Sequence, residues 1–346
     1  MKYKKFIFNV IVFIFILILI HSGLSFVALK AAQSYKQGVF VIGQAKREWI
    51  RKQQPKFELG KIKVVFLGNS IILSGIIPEE FDRTFSGKTS TINLALPALP
   101  IGPGYFALKD LVEAGEKPDV VVVRLVLDNS DQPGLFDFNV IQGLRFPEEF
   151  LSYLIHRKNR AFALNYLVPL RMYTNETIRF LKNALFNRED IVSSKKRNET
   201  EAKKMINDRG YYFIRDQNIF PEGRLPEGFD ILDPKQIKAI EPGKFIWGQD
   251  PYLEKFLEYT QKNGIKVFLI GSIYREFTTG LFTQKPSSCI EISKKYPHVM
   301  SGEKSWQSKF LGNYYFSDRV HLNNDGAKIY TRWVAEDFVN EVLNQK

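Results

Sequence analysis

The run Val64-Val65-Phe66-Leu67-Gly68-Asn69-Ser70 reads as a buried strand that ends in Gly-x-Ser and so delivers a small hydroxyl at its C-terminal end. Open α/β sheets bind their ligands at that end. A serine becomes a nucleophile only beside a base, and the chain offers four histidines to choose from. His21 lies in an apolar N-terminal run, His156 in an irregular stretch, His298 after a proline, and His321 in Ser317-Asp318-Arg319-Val320-His321-Leu322. Asp318 stands three residues before His321, so one turn can fold its carboxylate onto the imidazole. That contact fixes the tautomer and stabilises the imidazolium formed when a serine gives up its proton. Ser70, Asp318 and His321 together have the makings of acyl-transfer chemistry; taken alone, the Asp–His pair also reads as an exposed polar loop.

These residues need a frame. Apolar runs rich in β-branched residues at 62–67, 91–96, 120–127 and 265–270 are bounded by Gly, Pro or Asp, as buried parallel strands are. Helical stretches at 105–114 and 252–263 lie between them, the second closed by Asn263-Gly264 as a C-cap. The alternation predicts an α/β three-layer sandwich around a central parallel sheet. A last helix over 326–343 places Tyr330, Val334, Phe338 and Val342 on one face, to pack on the sheet. Between 132 and 247 the alternation lapses, and this stretch reads as a long, mainly helical insertion above the C-terminal edge of the sheet. It is a lid, a partner-docking surface, or an elaboration without a role.

Composition narrows the setting. Hydrophobic residues make up 45% of 346, enough for a sizeable core. Cys289 is the one cysteine, which excludes an intrachain disulfide and a cysteine metal cage. No metal constellation, dinucleotide fingerprint or other cofactor signature is present, since Gly102-Pro103-Gly104 has the wrong spacing. The formal charge of +12 favours an anionic partner: nucleic acid, phospholipid headgroups or an envelope polymer. Lys2, Lys4 and Lys5 precede a stretch, 6–29, that has no charged residue and is long enough to span a bilayer. The positive-inside rule keeps residues 1–5 cytoplasmic and sends the rest outward. Ser22-Gly23-Leu24-Ser25 could instead be a signal-peptide cleavage site, but apolar character resumes through Phe26-Val27-Ala28-Leu29, which favours an uncleaved anchor. Either way the domain is expected outside the cytoplasm, which argues against nucleic acid as partner. Residues 30–60, with Lys46, Arg47, Arg51, Lys52 and Lys56, are expected to form a juxtamembrane stalk near anionic headgroups or a solvated helix.

The chain resembles the SGNH (GDSL-like) hydrolase superfamily. Gly68-Asn69-Ser70 is similar to the family's first block, with Asn69 where an aspartate is usual. Asp318-Arg319-Val320-His321, preceded by Tyr315-Phe316 and followed by Gly326-Ala327, is similar to its last. The resemblance covers about 61–130 and 250–343. It implies Ser70 as nucleophile, Asp318 and His321 as its acid–base partners, and an oxyanion hole from the Ser70 and Ala98 N–H groups with the Asn129 side chain. Ala98 ends Asn93-Leu94-Ala95-Leu96-Pro97-Ala98 where the family has glycine, and Asn129, in Leu127-Asp128-Asn129-Ser130-Asp131, reads equally as an Asx turn closing a strand. The N-terminal anchor also resembles the subset of the superfamily that works beside membrane-bound O-acyltransferases on bacterial envelope polymers. The expectation is a single-pass, extracytoplasmic serine esterase or acyltransferase acting on an ester of an envelope glycan, polymer or lipid. The alternative is a catalytically inactive binding or assembly subunit of an envelope-modifying complex.

Overall fold

The computed structural model describes residues 2–35, 39–53, 55–97, 101–124, 174–212, 251–271, 287–302, 311–318 and 321–343. In chain order these form α1 (Lys2–Tyr35), α2 (Val39–Arg51), β1 (Ile62–Leu67), α3 (Ser70–Gly75), α4 (Pro78–Thr84), β2 (Thr89–Asn93), α5 (Ile101–Glu113) and β3 (Val120–Arg124). There follow α6 (Thr174–Phe186), α7 (Arg188–Asn207), α8 (Pro251–Lys262), β4 (Lys266–Ile270), α9 (Ser287–Lys295), β5 (Val299–Ser301) and α10 (Asn324–Phe338), which continues as a π-turn over Val339–Leu343. The chain divides into two compact units, one of Met1–Val41 with Arg145–Ala202, the other of Ile42–Leu144 with Lys203–Lys346.

The second unit holds a parallel five-stranded sheet of order β2-β1-β3-β4-β5. This is the doubly wound order whose switch point lies between β1 and β3. Because successive strand residues face opposite ways, Phe66 and Leu67 report the two helical layers. Phe66 meets Phe81 of α4 edge-on at 5.0 Å, and Phe81 and Phe268 both meet Phe338 of α10. Leu67 faces Gly104 of α5 on the other side, where Phe106 meets Tyr252 of α8 edge-on. The α/β sandwich with an N-terminal apolar helix and a long helical insertion is therefore observed.

Two strands differ from expectation. β2 starts two residues early and ends at Asn93, and its buried threonines are matched to one carboxylate: Thr89 and Thr91 both donate to Asp82 Oδ1, at 2.7 and 2.6 Å. β5 has three residues, too few to stand out as an apolar run. β3 is described over Val120–Arg124, and the rest of the expected strand, residues 125–127, lies outside the described residues.

Of the insertion, α6, α7 and residues 208–212 are described. The end of α7 and the turn after it belong to the sheet unit and are pinned there. Arg209 O accepts Asn93 N, Tyr212 N donates to Leu73 O, and the Arg209 guanidinium pairs with Asp82. Lys46, expected among the solvated basic residues of a stalk, is instead 3% exposed within the sheet unit, alongside Ile42, Trp49 and Ile50, while Arg51 and Lys52 stay exposed. Every third or fourth residue of α2 is apolar, and that face takes Lys46 in with it.

In the other unit α1 runs beyond the expected 6–29. Its stretch Lys5–Ala32 is long and apolar enough to cross a membrane, a test that a signal sequence also passes. Large apolar side chains from Phe6 to Phe26 are exposed, whereas Ala28, Ala31 and Ala32 are buried. α6 packs on α1: the Arg179 guanidinium lies 4.3 Å above the Tyr35 ring, and Asn183 donates to the Tyr35 hydroxyl.

Candidate active site

β1 ends where the backbone must turn sharply. Gly68 sits at φ +151, and a Cβ there would come within 2.8 Å of Ile72 Cγ1, so glycine is required. Asn69, in extended conformation, then caps α3 by accepting Ile71 N on its side chain at 3.1 Å. That cap makes Ser70 the first residue of a helix set on the C-terminal end of β1, half-buried, its backbone carbonyl taken by Ser74 Oγ.

Asn93 holds α3 against the sheet. Its Nδ2 donates to Ile72 O and Ile76 O at 2.9 and 3.0 Å, and its Oδ1 accepts Ala95 N. The chain leaving β2 stays beside Gly68: Leu94 N donates to Phe66 O and Leu96 N to Gly68 O. Lys46 Nζ closes the arrangement by donating to Asn93 O at 2.8 Å and Ala95 O at 2.7 Å. Burial pushes the Lys46 ammonium well below the usual lysine range. Sequence reasoning missed Lys46, whose charge pointed to solvent, and saw Asn93 only as the start of a block.

Asp318 and His321 form as spacing predicts. Asp318, 6% exposed, accepts His321 N on Oδ1 at 2.7 Å and faces His321 Nδ1 with Oδ2 at 2.5 Å. The turn is closed by Ser317 N donating to His321 O, the Phe316–Leu322 bridge, and Asn323, whose Oδ1 caps Gly326 N to start α10. A Cβ on Gly326 would overlap the Tyr315 carbonyl oxygen, so the turn packs directly on the helix start. With Nδ1–H directed at the carboxylate, Nε2 carries the lone pair. Nε2 is buried and, among the described residues, has no hydrogen-bond partner, Ser70 Oγ included.

α10 joins the two halves of the site. Thr331 Oγ1 accepts Ile77 N and donates to Gly75 O, at the end of α3. Gly75 lies under Tyr330 and Leu322, and a Cβ there would sit 3.0 and 3.6 Å from them. Thus the residue after His321 rests against the helix that Ser70 opens. Tyr330 donates to Gly271 O just past β4, and Tyr211, from the insertion's tail, to Asn324 Oδ1.

Ala98 and Asn129 lie outside the described residues, as do Arg319, Val320 and His156. His298 is remote in role: its carbonyl accepts Val267 N at the start of β4, and its Nε2 pairs with Thr260. Among the described residues no group of His, Cys, Asp and Glu could hold a metal ion. No protein-family model matches the chain, and no curated protein does either.

Proposed function

We propose that the chain is a membrane-anchored, extracytoplasmic serine acyl hydrolase or O-acyltransferase of SGNH type, acting on an ester of an envelope glycan, polymer or lipid. The observation that supports this reading is His321: a carboxylate grips one ring nitrogen and the other is buried and unpaired among the described residues, one residue from a contact with the Ser70 helix. Such a ring is a general base held in one tautomer with its lone pair unspent. In the reaction, His321 Nε2 takes the Ser70 proton as Oγ attacks the ester carbonyl. The N–H groups of Ser70 and Ala98, with Asn129, stabilise the oxyanion, and the alcohol leaves with the proton from His321. Water then releases the acyl group from Ser70, or a polymer hydroxyl accepts it. A membrane-bound O-acyltransferase suits this scheme as donor-side partner, and the +12 charge suits an anionic acceptor.

A second reading, an inactive assembly subunit, is favoured by the absence of a hydrogen bond between Ser70 Oγ and His321 Nε2. Labelling the full chain with a fluorophosphonate separates the two. The enzyme reading expects a labelled serine that disappears in both Ser70→Ala and His321→Ala; an unlabelled, folded wild type overturns it.

A further inference from the structure

Besides those of α1, five large apolar side chains among the described residues of the anchor-bearing unit face outward: Ile178, Leu181, Leu185, Phe186 and Val192, with exposures of 61, 49, 76, 80 and 64%. Ile178, Leu181 and Leu185 recur at intervals of three and four on α6 and so form one stripe. Phe186 ends that helix, and Val192 follows in the first turns of α7. Exposed Lys182 and Arg188 flank the stripe, and Lys195, Lys196 and Arg197 follow on α7. Soluble surfaces rarely carry such a patch without a partner.

What α6 is attached to identifies the partner. Phe26 is the last large exposed apolar residue of α1, and the Lys30 ammonium lies over its ring at 5.6 Å, the arrangement of a cation at the upper edge of a span. Nine residues, about 13 Å of helical rise, separate Phe26 from Tyr35. Tyr35 is where Arg179 and Asn183 seat α6, and Asn198 of α7 donates to Ser34 O beside it. A helix about 10 Å across, fixed there, lies at headgroup depth.

We infer that α6 and the turn into α7 form an interfacial membrane-binding element, lying in the outer surface of the bilayer that α1 crosses. Its apolar stripe enters the acyl boundary and its basic residues meet anionic headgroups. The inference rests on α1 being a retained anchor. It adds that the protein holds the membrane along a surface as well as through a single span, which suits a substrate carried on that surface.

Site-directed spin labelling of the full chain tests it, in nanodiscs of phosphatidylethanolamine and phosphatidylglycerol. The buried Cys289 is first replaced by serine, and single labels are placed by Leu181→Cys, Leu185→Cys, Lys196→Cys and, within the span, Leu17→Cys. Oxygen against nickel-chelate accessibility is expected to place the labels at 181 and 185 about 5–10 Å into the headgroup–acyl boundary, with 196 aqueous and 17 at the bilayer interior. Labels at 181 and 185 as aqueous as 196 overturn the inference, and so do labels shielded from both reagents, which mean a protein partner or a second copy. Mass spectrometry keeps the outcomes apart. A chain starting near residue 26 removes the retained anchor and this inference together, whereas an intact chain with aqueous labels removes this inference alone. Neither result touches the serine chemistry.

Discussion

Lys46→Met isolates two hydrogen bonds of one side chain at the candidate site. Methionine has nearly the length and volume of lysine, so no cavity term enters. What is lost is the donor to Asn93 O and Ala95 O, on residues 0 and 1% exposed. Withdrawing a donor from a buried acceptor costs about 1–3 kcal/mol. Two such losses, offset in part by no longer burying an ionisable amine, leave a net destabilisation of about 3 kcal/mol. Urea unfolding of the full chain in detergent micelles reads this out, with Trp49, buried one turn further along α2, reporting directly on that helix. The pH dependence has a definite sign. Burial lowers the folded pKa, so between that value and the ordinary 10.5 the unfolded chain binds the extra proton and stability rises with pH. The cost of burial is fully present below the folded pKa. A neutral amine keeps two N–H donors, so both contacts survive deprotonation. The wild type is therefore expected to gain stability relative to Lys46→Met as pH rises from the lowered folded value toward 10.5. A loss under about 1 kcal/mol, or a difference independent of pH, refutes the buried-donor argument.

Other residues give further expectations. Gly210→Ala forces a side chain onto φ +90 and drives its Cβ into the Asn93 carbonyl oxygen; it should lower stability by about 3 kcal/mol or more, seen as a fall in the urea midpoint at unchanged slope. Asp318→Asn leaves the turn's shape but replaces an acceptor at His321 Nδ1 with an amide, so the serine-labelling rate should fall about a hundredfold or more, with the far-ultraviolet spectrum unchanged. Burial holds His298 below its ordinary value of 6.5. The unfolded chain thus takes up the proton first, stability falls as pH drops from 6.5 toward the folded value, and His298→Gln should flatten that part of the stability profile.

Local pattern carried most of the frame. β1, β4, α5, α8 and α10 are recoverable from runs of one period bounded by Gly, Asn or Pro, because burial of a strand or of one helix face imposes that period on the chain itself. Gly68-Asn69-Ser70 and Asp318 with His321 were legible for the same reason: a strand-to-helix turn and a three-residue loop are made by neighbours in sequence. β2 was displaced because its polar threonines are compensated by Asp82, a partner on another element, and β5 was invisible because three residues make no pattern. Tertiary structure alone decided that Lys46 is a buried donor, that Asn93 ties α3 to the end of β2, and that Arg209 and Gly210 bring the insertion's tail onto that same strand end. Each depends on groups tens of residues apart meeting at one point. A charge in a sequence reads as solvated until the fold supplies the carbonyls that take it in.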